Sequence, residues 1–230
     1  SSNFGYVLEN ALSEAFPQEL VSVINGGGAI SDAFSHLAFD KLIFTGSTSV
    51  GKTVMAAASQ NLVPVILELG GKSPALVHSA MNIRDVAQRI AVGKLWNAGQ
   101  TCVAPDYIFL PKGKTAEFTK HYNDFVNTMY PTLRDNKDYT SIVNDKQYNR
   151  LQGYLEDARD QGACIVELNS KNEPLTEVRK IAPTLLTGVT TEMDIMKNEI
   201  FGPILPIWEY EHIEDAIQFI NSRPRPLAFY

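Results

Sequence analysis

Cysteine is scarce in this chain: Cys102 and Cys164 are the two in 230 residues. Their settings differ too much for a disulfide framework, so a reducing, cytoplasmic compartment is the expectation. Histidine is sparse as well. His36, His78, His121 and His212 have no mutual spacing suited to metal ligation, and no metal is expected. Long apolar runs are missing: none approaches the roughly 18 to 20 residues that cross a bilayer. The opening Ser1-Ser2-Asn3-Phe4-Gly5-Tyr6 lacks the basic and apolar regions of a signal peptide. Positive charge is in deficit, with Lys and Arg totalling 20 against 26 Asp and Glu for a net charge of -6. That balance argues against a nucleic-acid partner, which wants a clustered basic face. There is no internal repeat or low-complexity tract. A start without methionine and an end at Leu227-Ala228-Phe229-Tyr230, in mid-pattern, give the expectation of a piece of something longer.

What is present is an ordinary globular composition, 44% apolar, in which strand-like runs alternate with helical ones. Apolar residues at helical spacing predict a helix over 3–16, closed by Pro17. Leu20 to Ile24 reads as a buried strand, and Ser31 or Asp32 can cap a short helix through Leu37. Lys41 to Thr45, Val63 to Leu67, Ala75 to Val77 and Tyr107 to Leu110 read as strands, as do Cys164 to Leu168, Ala182 to Leu186 and Ile204 to Trp208. Helices are expected over Lys52 to Gln60, Asn82 to Trp96, Thr115 to Met129, from an Asp145 cap through Ala158, and over Ile213 to Asn221. Such alternation means parallel βαβ units with helices on both faces of a sheet, and ligands in such sheets lie beyond the carboxyl ends of the strands. Lys72-Ser73-Pro74 breaks the pattern, and we place a domain boundary beside it, giving 1–68 and 69–230.

Two stretches carry chemistry. Gly99-Gln100-Thr101-Cys102 sets a cysteine on a small-residue turn between a helix and a strand, where its sulfur is open. A thiol is a weak nucleophile until backbone N–H groups, a helix end or a base favour the thiolate. Cys164, in the apolar run Ala163-Cys164-Ile165-Val166, reads instead as a buried structural thiol of a core strand. Gly46-Ser47-Thr48-Ser49-Val50-Gly51-Lys52-Thr53 follows a strand and opens a helix, which aims backbone N–H groups at an anion. Its letters match the loop of P-loop nucleotide hydrolases and kinases, but the acidic metal partner and water-positioning group of that chemistry are not found. A dinucleotide pyrophosphate would use the same helix end. The loop therefore says phosphate, and its neighbours must say which.

Phe44-Thr45-Gly46-Ser47-Thr48-Ser49-Val50-Gly51, Glu68-Leu69-Gly70-Gly71-Lys72-Ser73-Pro74, Gly99-Gln100-Thr101-Cys102 and Glu199-Ile200-Phe201-Gly202-Pro203 together resemble the NAD(P)-dependent aldehyde dehydrogenases, in that family's order and approximate spacing. Cys102 through Tyr107 and Ile220 through Tyr230 are most similar to its class 3 branch, which includes enzymes of fatty and aromatic aldehydes. The resemblance implies an α/β fold with parallel sheets flanked by helices. Residues 1–68 would be the C-terminal part of a Rossmann-like dinucleotide-binding domain, and 69–230 a catalytic domain incomplete at its C-terminal end. It implies Cys102 as nucleophile, passing through a thiohemiacetal and a thioester, and Glu68 as general base.

It further implies NAD or NADP as cofactor. Gly46, Ser47, Val50 and Gly51 would form the cofactor loop and the backbone of Leu69 would face the carboxamide. Glu199 would hold the nicotinamide ribose hydroxyls and Phe201 would lie beside the nicotinamide ring. The implied partners are a small-molecule aldehyde and, in the complete protein, a second copy in a homodimer. The oxyanion-hole asparagine and the adenosine-ribose residues would precede Ser1, so this chain alone is expected to be at best feebly active. A family-derived binding domain without activity is the other reading, and the intact Cys102, Glu68 and Glu199 speak against it.

Overall fold

The computed structural model describes residues 2–230, which divide into two compact units, one ending at Glu68 and the other running from Leu69 to Tyr230. The first unit holds α1 (Ser2–Ala15), α2 (Gly28–Ser35), β1 (Leu42–Gly46), α3 (Thr48–Ser59) and most of β2 (Val65–Leu69), with β1 and β2 hydrogen-bonded as a two-stranded sheet. Its core is small: Leu42, Val54, Ala58 and Val63, with Phe39, Phe44 and Val65 packed around them.

Two expectations fail in this unit. Leu20 to Ile24 joins no sheet, and both Leu20 and Ile24 are exposed; the run has strand propensity, but no neighbouring strand satisfies its backbone. The short helix starts at Gly28, capped by Gly27 rather than Ser31 or Asp32, and its cap makes no side-chain hydrogen bond. The stripe of α1 does form on a helix, yet Phe4 and Val7 stay 65% and 66% exposed, so periodicity located the helix without locating a core for it.

The second unit is a three-layer α/β sandwich. Its elements are β3 (Pro74–Leu76), α4 (Ile83–Leu95), β4 (Tyr107–Pro111), α5 (Thr115–Met129), α6 (Asp145–Asp160), β5 (Cys164–Glu167), β6 (Thr184–Thr187), α7 (Asp194–Lys197), β7 (Ile204–Tyr210) and α8 (Ile213–Asn221). The sheet order is β3-β4-β7-β6-β5. Pro74 pairs with Tyr107, Ile108 with Ile207 and Thr184 with Ile204, all in parallel register, and only β5 runs antiparallel, against β6.

Strand alternation assigns each side chain to a face. Ile108 and Leu110 of β4, Leu185 of β6 and Leu205 and Ile207 of β7 join α4 and α5 in one core. Tyr107, Phe109, Leu186, Ile204 and Tyr210 join α6, α7 and α8 in the other. Burial on both faces is why these strands read as unbroken apolar runs.

Caps set the helix starts. Asn82 accepts from the N–H groups of Arg84 and Asp85 at 3.0 and 3.4 Å, as the expected span of α4 requires. Asn144, not Asp145, caps α6, accepting from Gln147 at 2.9 Å. Each such bond satisfies an N–H that the helix leaves open.

Cys164 overturns its expectation. It is exposed, because β5 is the last strand of the sheet: Ile165 packs on one core and Val166 on the other, and the cysteine, on the face of Val166, opens the strand beyond the helices.

Leu151 of α6 is fully buried, and a Cβ built on Gly202 would come within 2.7 Å of its methyls. Leu151→Ala is therefore expected to destabilise this unit by about 3 kcal/mol. Urea unfolding followed by tryptophan fluorescence and circular dichroism measures it.

Candidate active site

In the second unit, Leu69 through Ser73 precedes β3, Gly99 through Asp106 precedes β4, and Glu199 through Pro203 precedes β7. Because β3, β4 and β7 are adjacent and parallel, the three segments emerge side by side at the amino ends of their strands. This corrects the carboxyl-end expectation for this unit. In the first unit the motif residues lie at the carboxyl ends: Gly46 ends β1, Ser47 follows it, and Glu68 lies at the end of β2.

The cysteine turn is built by backbone that few residues adopt. Asn97 and Ala98 have φ of 52° and Gly99 has φ of 73°, three successive left-handed residues that turn the chain out of α4. At Gly99 a Cβ would collide with the carbonyl of Gly202 and approach the carbonyl oxygen of Lys94 at 2.9 Å. Two of the sequence motifs thus touch backbone to backbone, and only glycine fits between them.

Gln100, 8% exposed, pegs the turn from below. Its Nε2 donates to the carbonyls of Asn97 and Ser141, both at 3.1 Å, and its Oε1 accepts from the N–H of Val143 at 2.9 Å. A hydrogen bond from the N–H of Ala104 to the carbonyl of Thr101 closes the bend, and the hydroxyl of Tyr230 donates to the carbonyl of Val103 at 2.6 Å. Cys102 is exposed while Ala104, Pro105 and Asp106 are buried. The sulfur is presented outward on a turn whose flanks are fixed.

Asp106 ties the segments together. Its carboxylate is ion-paired and hydrogen-bonded to Lys72, its other oxygen accepts from the N–H of Ile200 at 2.8 Å, and its own N–H donates to the carbonyl of Ser73 at 2.7 Å. The Lys72 ammonium also donates to the carbonyls of Ile195 and Asn198 at 2.8 and 3.1 Å. Arg150 reaches the same segment from α6, donating to the carbonyls of Glu199 and Ile200 at 3.1 and 2.7 Å, with its guanidinium over the ring of Tyr154. Arg223 donates to the carbonyl of Met196.

So held, Phe201 keeps a left-handed φ of 50° and leaves its ring partly exposed, a conformation that persists in a bulky residue only when its surroundings enforce it. Glu199 is half-buried, its carboxylate against Gly70. Burial pushes its pKa above the usual carboxylate value, with the nearby backbone of Gly71 opposing. Sequence reasoning singled out neither Asp106 nor Arg150 as a site residue. The signal for Asp106 was a buried acid within an apolar strand approach, and for Arg150 there was none.

In the first unit the candidate residues lie at the start of α3. The Ser47 hydroxyl accepts from the N–H of Val50 at 3.4 Å, no acidic residue occupies the first turn, Gly51 is buried, and Val50 and Lys52 are exposed. An exposed apolar side chain beside open N–H groups suits an adenine joined to a pyrophosphate. In the second unit a half-buried carboxylate beside an exposed ring suits a ribose diol joined to a flat heterocycle. Each unit by itself thus presents groups suited to one part of a nicotinamide dinucleotide. Among the described residues no cluster of His, Cys, Asp and Glu could hold a metal ion.

The sequence profile of the aldehyde dehydrogenase family matches residues 2–229. Over 226 residues the chain is 50% identical to a probable coniferyl aldehyde dehydrogenase of Pseudomonas aeruginosa, a match covering 98% of this chain and 47% of that protein. The solved structure of the substrate-bound state of Staphylococcus aureus AldH superposes with a TM-score of 0.90 at 42% identity, covering 99% of this chain and 49% of that one. A betaine aldehyde dehydrogenase from Staphylococcus aureus in complex with NAD+ superposes with a TM-score of 0.78 at 26% identity, covering 88% and 41%. The chain spans about half the length of the curated relatives it matches.

Below the turn, Lys94 is fully buried and its ammonium has no hydrogen-bond partner among the described residues. Burial lowers its pKa to about 8 from 10.5, against the attraction of Asp106. Between these values the unfolded chain holds a proton that the folded one has released, so Lys94 destabilises the fold below pH 8 and the penalty fades as pH rises to 10.5. Lys94→Met is expected to stabilise the protein by about 3 kcal/mol at pH 7 and to abolish the rise in stability between pH 8 and 10.5. Denaturant titrations across that range measure both effects.

Proposed function

The chain belongs to the aldehyde dehydrogenase family, and from that premise we propose that it takes part in the NAD(P)-dependent oxidation of an aldehyde to a carboxylate, with Cys102 as the nucleophile. The observation that carries the reading is an exposed thiol on a bend whose neighbours Gln100 and Asp106 are buried and hydrogen-bonded. A nucleophile needs this combination of access and fixed direction.

The Cys102 thiolate adds to the carbonyl carbon and forms a carbon–sulfur bond, giving a thiohemiacetal. A nicotinamide dinucleotide, when bound, supplies the acceptor for the hydride that leaves this carbon. What remains on Cys102 is a thioester. Glu68, by the motif it occupies, takes a proton from the water that attacks the thioester, and the carboxylate product departs as the thiolate is restored. One difficult step is replaced by two easier ones.

Glu199 would accept hydrogen bonds from the nicotinamide ribose hydroxyls, and Phe201 would pack beside the ring. Gly46, Ser47, Val50 and Gly51 would hold the pyrophosphate and adenine at the start of α3, and the backbone of Leu69 would face the carboxamide. Lys52 is then a surface lysine, and the agreement of Gly46 to Thr53 with a hydrolase loop is one of letters. The substrate reading is an aromatic or medium- to long-chain aliphatic aldehyde, with coniferyl aldehyde first to be tried, since a relative bearing that name is half identical. NAD and NADP are both carried as cofactors. A homodimer and a cytoplasmic setting complete the proposal.

The test compares Cys102→Ala with Cys164→Ala, both thiols being exposed. In the complete protein that carries this chain, reduced dinucleotide formed from NAD+ or NADP+ with coniferyl aldehyde is expected to fall at least about a thousandfold in Cys102→Ala and to stay unchanged in Cys164→Ala. Equal losses, or turnover surviving in Cys102→Ala, would defeat the reading. Binding of ATP that requires magnesium, without binding of NAD or NADP, would instead favour a nucleotide hydrolase.

A further inference from the structure

The last residues of the chain have no task in the chemistry above, yet they lace its segments together. Arg223 donates to the carbonyl of Met196. The backbone of Pro226 lies 3.1 Å from where a Cβ on Gly71 would stand. Tyr230 then runs beside β3, its N–H donating to the carbonyl of Pro74 at 3.0 Å and its carbonyl accepting from the N–H of Leu76 at 2.8 Å. Those backbone bonds fix where its side chain starts. Its hydroxyl reaches the cysteine turn and donates to the carbonyl of Val103 at 2.6 Å.

The connection continues past Val103. The carbonyl of Val103 and the N–H of Ala104 belong to one peptide unit, and that N–H donates to the carbonyl of Thr101 at 3.1 Å. The carbonyl of Thr101 shares the next peptide unit with the N–H of Cys102, which donates to no group among the described residues. An amide whose oxygen accepts a hydrogen bond gains double-bond character between carbon and nitrogen, and its N–H becomes a better donor. Hydrogen bonds in series therefore strengthen one another. This series starts at a phenol and ends on the free N–H of the cysteine itself.

We propose that Tyr230 is a positioning residue, which through these peptide units holds and polarises the Cys102 N–H beside the oxygen that becomes negative when the thiolate adds to a carbonyl. The inference rests on the reading of Cys102 as the nucleophile. A donor held where charge develops acts on the transition state more than on the bound aldehyde, so its loss falls on turnover rather than on substrate affinity.

Tyr230→Phe keeps the ring and the backbone bonds to β3 and removes the hydroxyl alone. In the complete protein that carries this chain, with coniferyl aldehyde and NAD+ or NADP+, kcat and kcat/KM are expected to fall together by roughly fivefold, the worth of one hydrogen bond. KM should stay within about twofold. Tyr230→Leu, which also removes the ring, should lose no more than about twofold beyond that. A loss confined to Tyr230→Leu assigns the effect to packing and overturns the proposal, as does an unchanged kcat or a loss carried by KM.

A readout without substrate accompanies these. In amide NMR of protein labelled at its cysteine nitrogens, the Cys102 signal, identified by its loss in Cys102→Ser, is expected to move upfield in Tyr230→Phe while the Cys164 signal stays. A merely structural role lowers the unfolding midpoint and leaves the Cys102 amide where it was. An unmoved Cys102 amide, or a Tyr230→Phe protein that does not fold, overturns the proposal, since the hydroxyl then serves the fold and not the cysteine. If Cys102→Ala keeps its turnover, the reading of Cys102 as nucleophile fails, and the amide shift still decides whether Tyr230 acts on its N–H.

Discussion

The ion pair between Lys72 and Asp106 is the constraint on which the second unit's site depends. It joins the segment before β3 to the segment before β4, and through the N–H of Ile200 and the carbonyls of Ile195 and Asn198 it takes hold of the segment before β7. None of these segments has regular structure of its own to hold it, and backbone groups in such loops need partners when buried. Here two charged side chains supply several of them. A buried pair of this kind adds little to stability when its desolvation is counted, but it fixes geometry, because each donor and acceptor has one place to go. The left-handed Phe201 and the triple left-handed run ending at Gly99 are the strained backbone that this fixing permits.

The topology explains why three motifs distant in sequence meet at all. A parallel sheet brings the starts of its strands to one edge, so residues 69–73, 99–106 and 199–203 converge once β3, β4 and β7 are neighbours. The two cores on either face of the sheet hold the strands in register through strict alternation, as Tyr107 and Phe109 turn one way and Ile108 and Leu110 the other. Packing thus sets the register, and the register delivers the chemistry. The cations around residues 195–201 come from three further places, Lys72 before β3, Arg150 on α6 and Arg223 after α8. A tightly held loop is assembled from elements far apart in the chain.

Much of this was legible beforehand, and the failures have physical causes. Helices α4, α5 and α8 lie where the apolar spacing puts them, because periodicity is a local fact. Leu20 to Ile24 and Cys164 misled for one shared reason: β-propensity says that a segment fits a sheet, not whether the sheet has a place for it or which edge it takes. Leu20 to Ile24 found no partner strand, and Cys164 began the outermost strand. The amino-end location of the second unit's motifs escaped for a related reason, since a general rule about parallel sheets stood in for knowledge of which loops precede which strands.

The sequence by itself determined the family and the alternation of strands and helices, because four motifs in order are a property of the chain and not of its fold. Only the tertiary structure decided which groups peg the flanks of Cys102, that Asp106 joins the segments, and that Lys94 lies enclosed without a hydrogen-bond partner among the described residues. Exposure and pairing depend on residues tens of positions away, as with Gln100 and Ser141, Asp106 and Ile200, or Tyr230 and Val103. Which of the possible long-range partners a side chain meets is settled by how the layers pack.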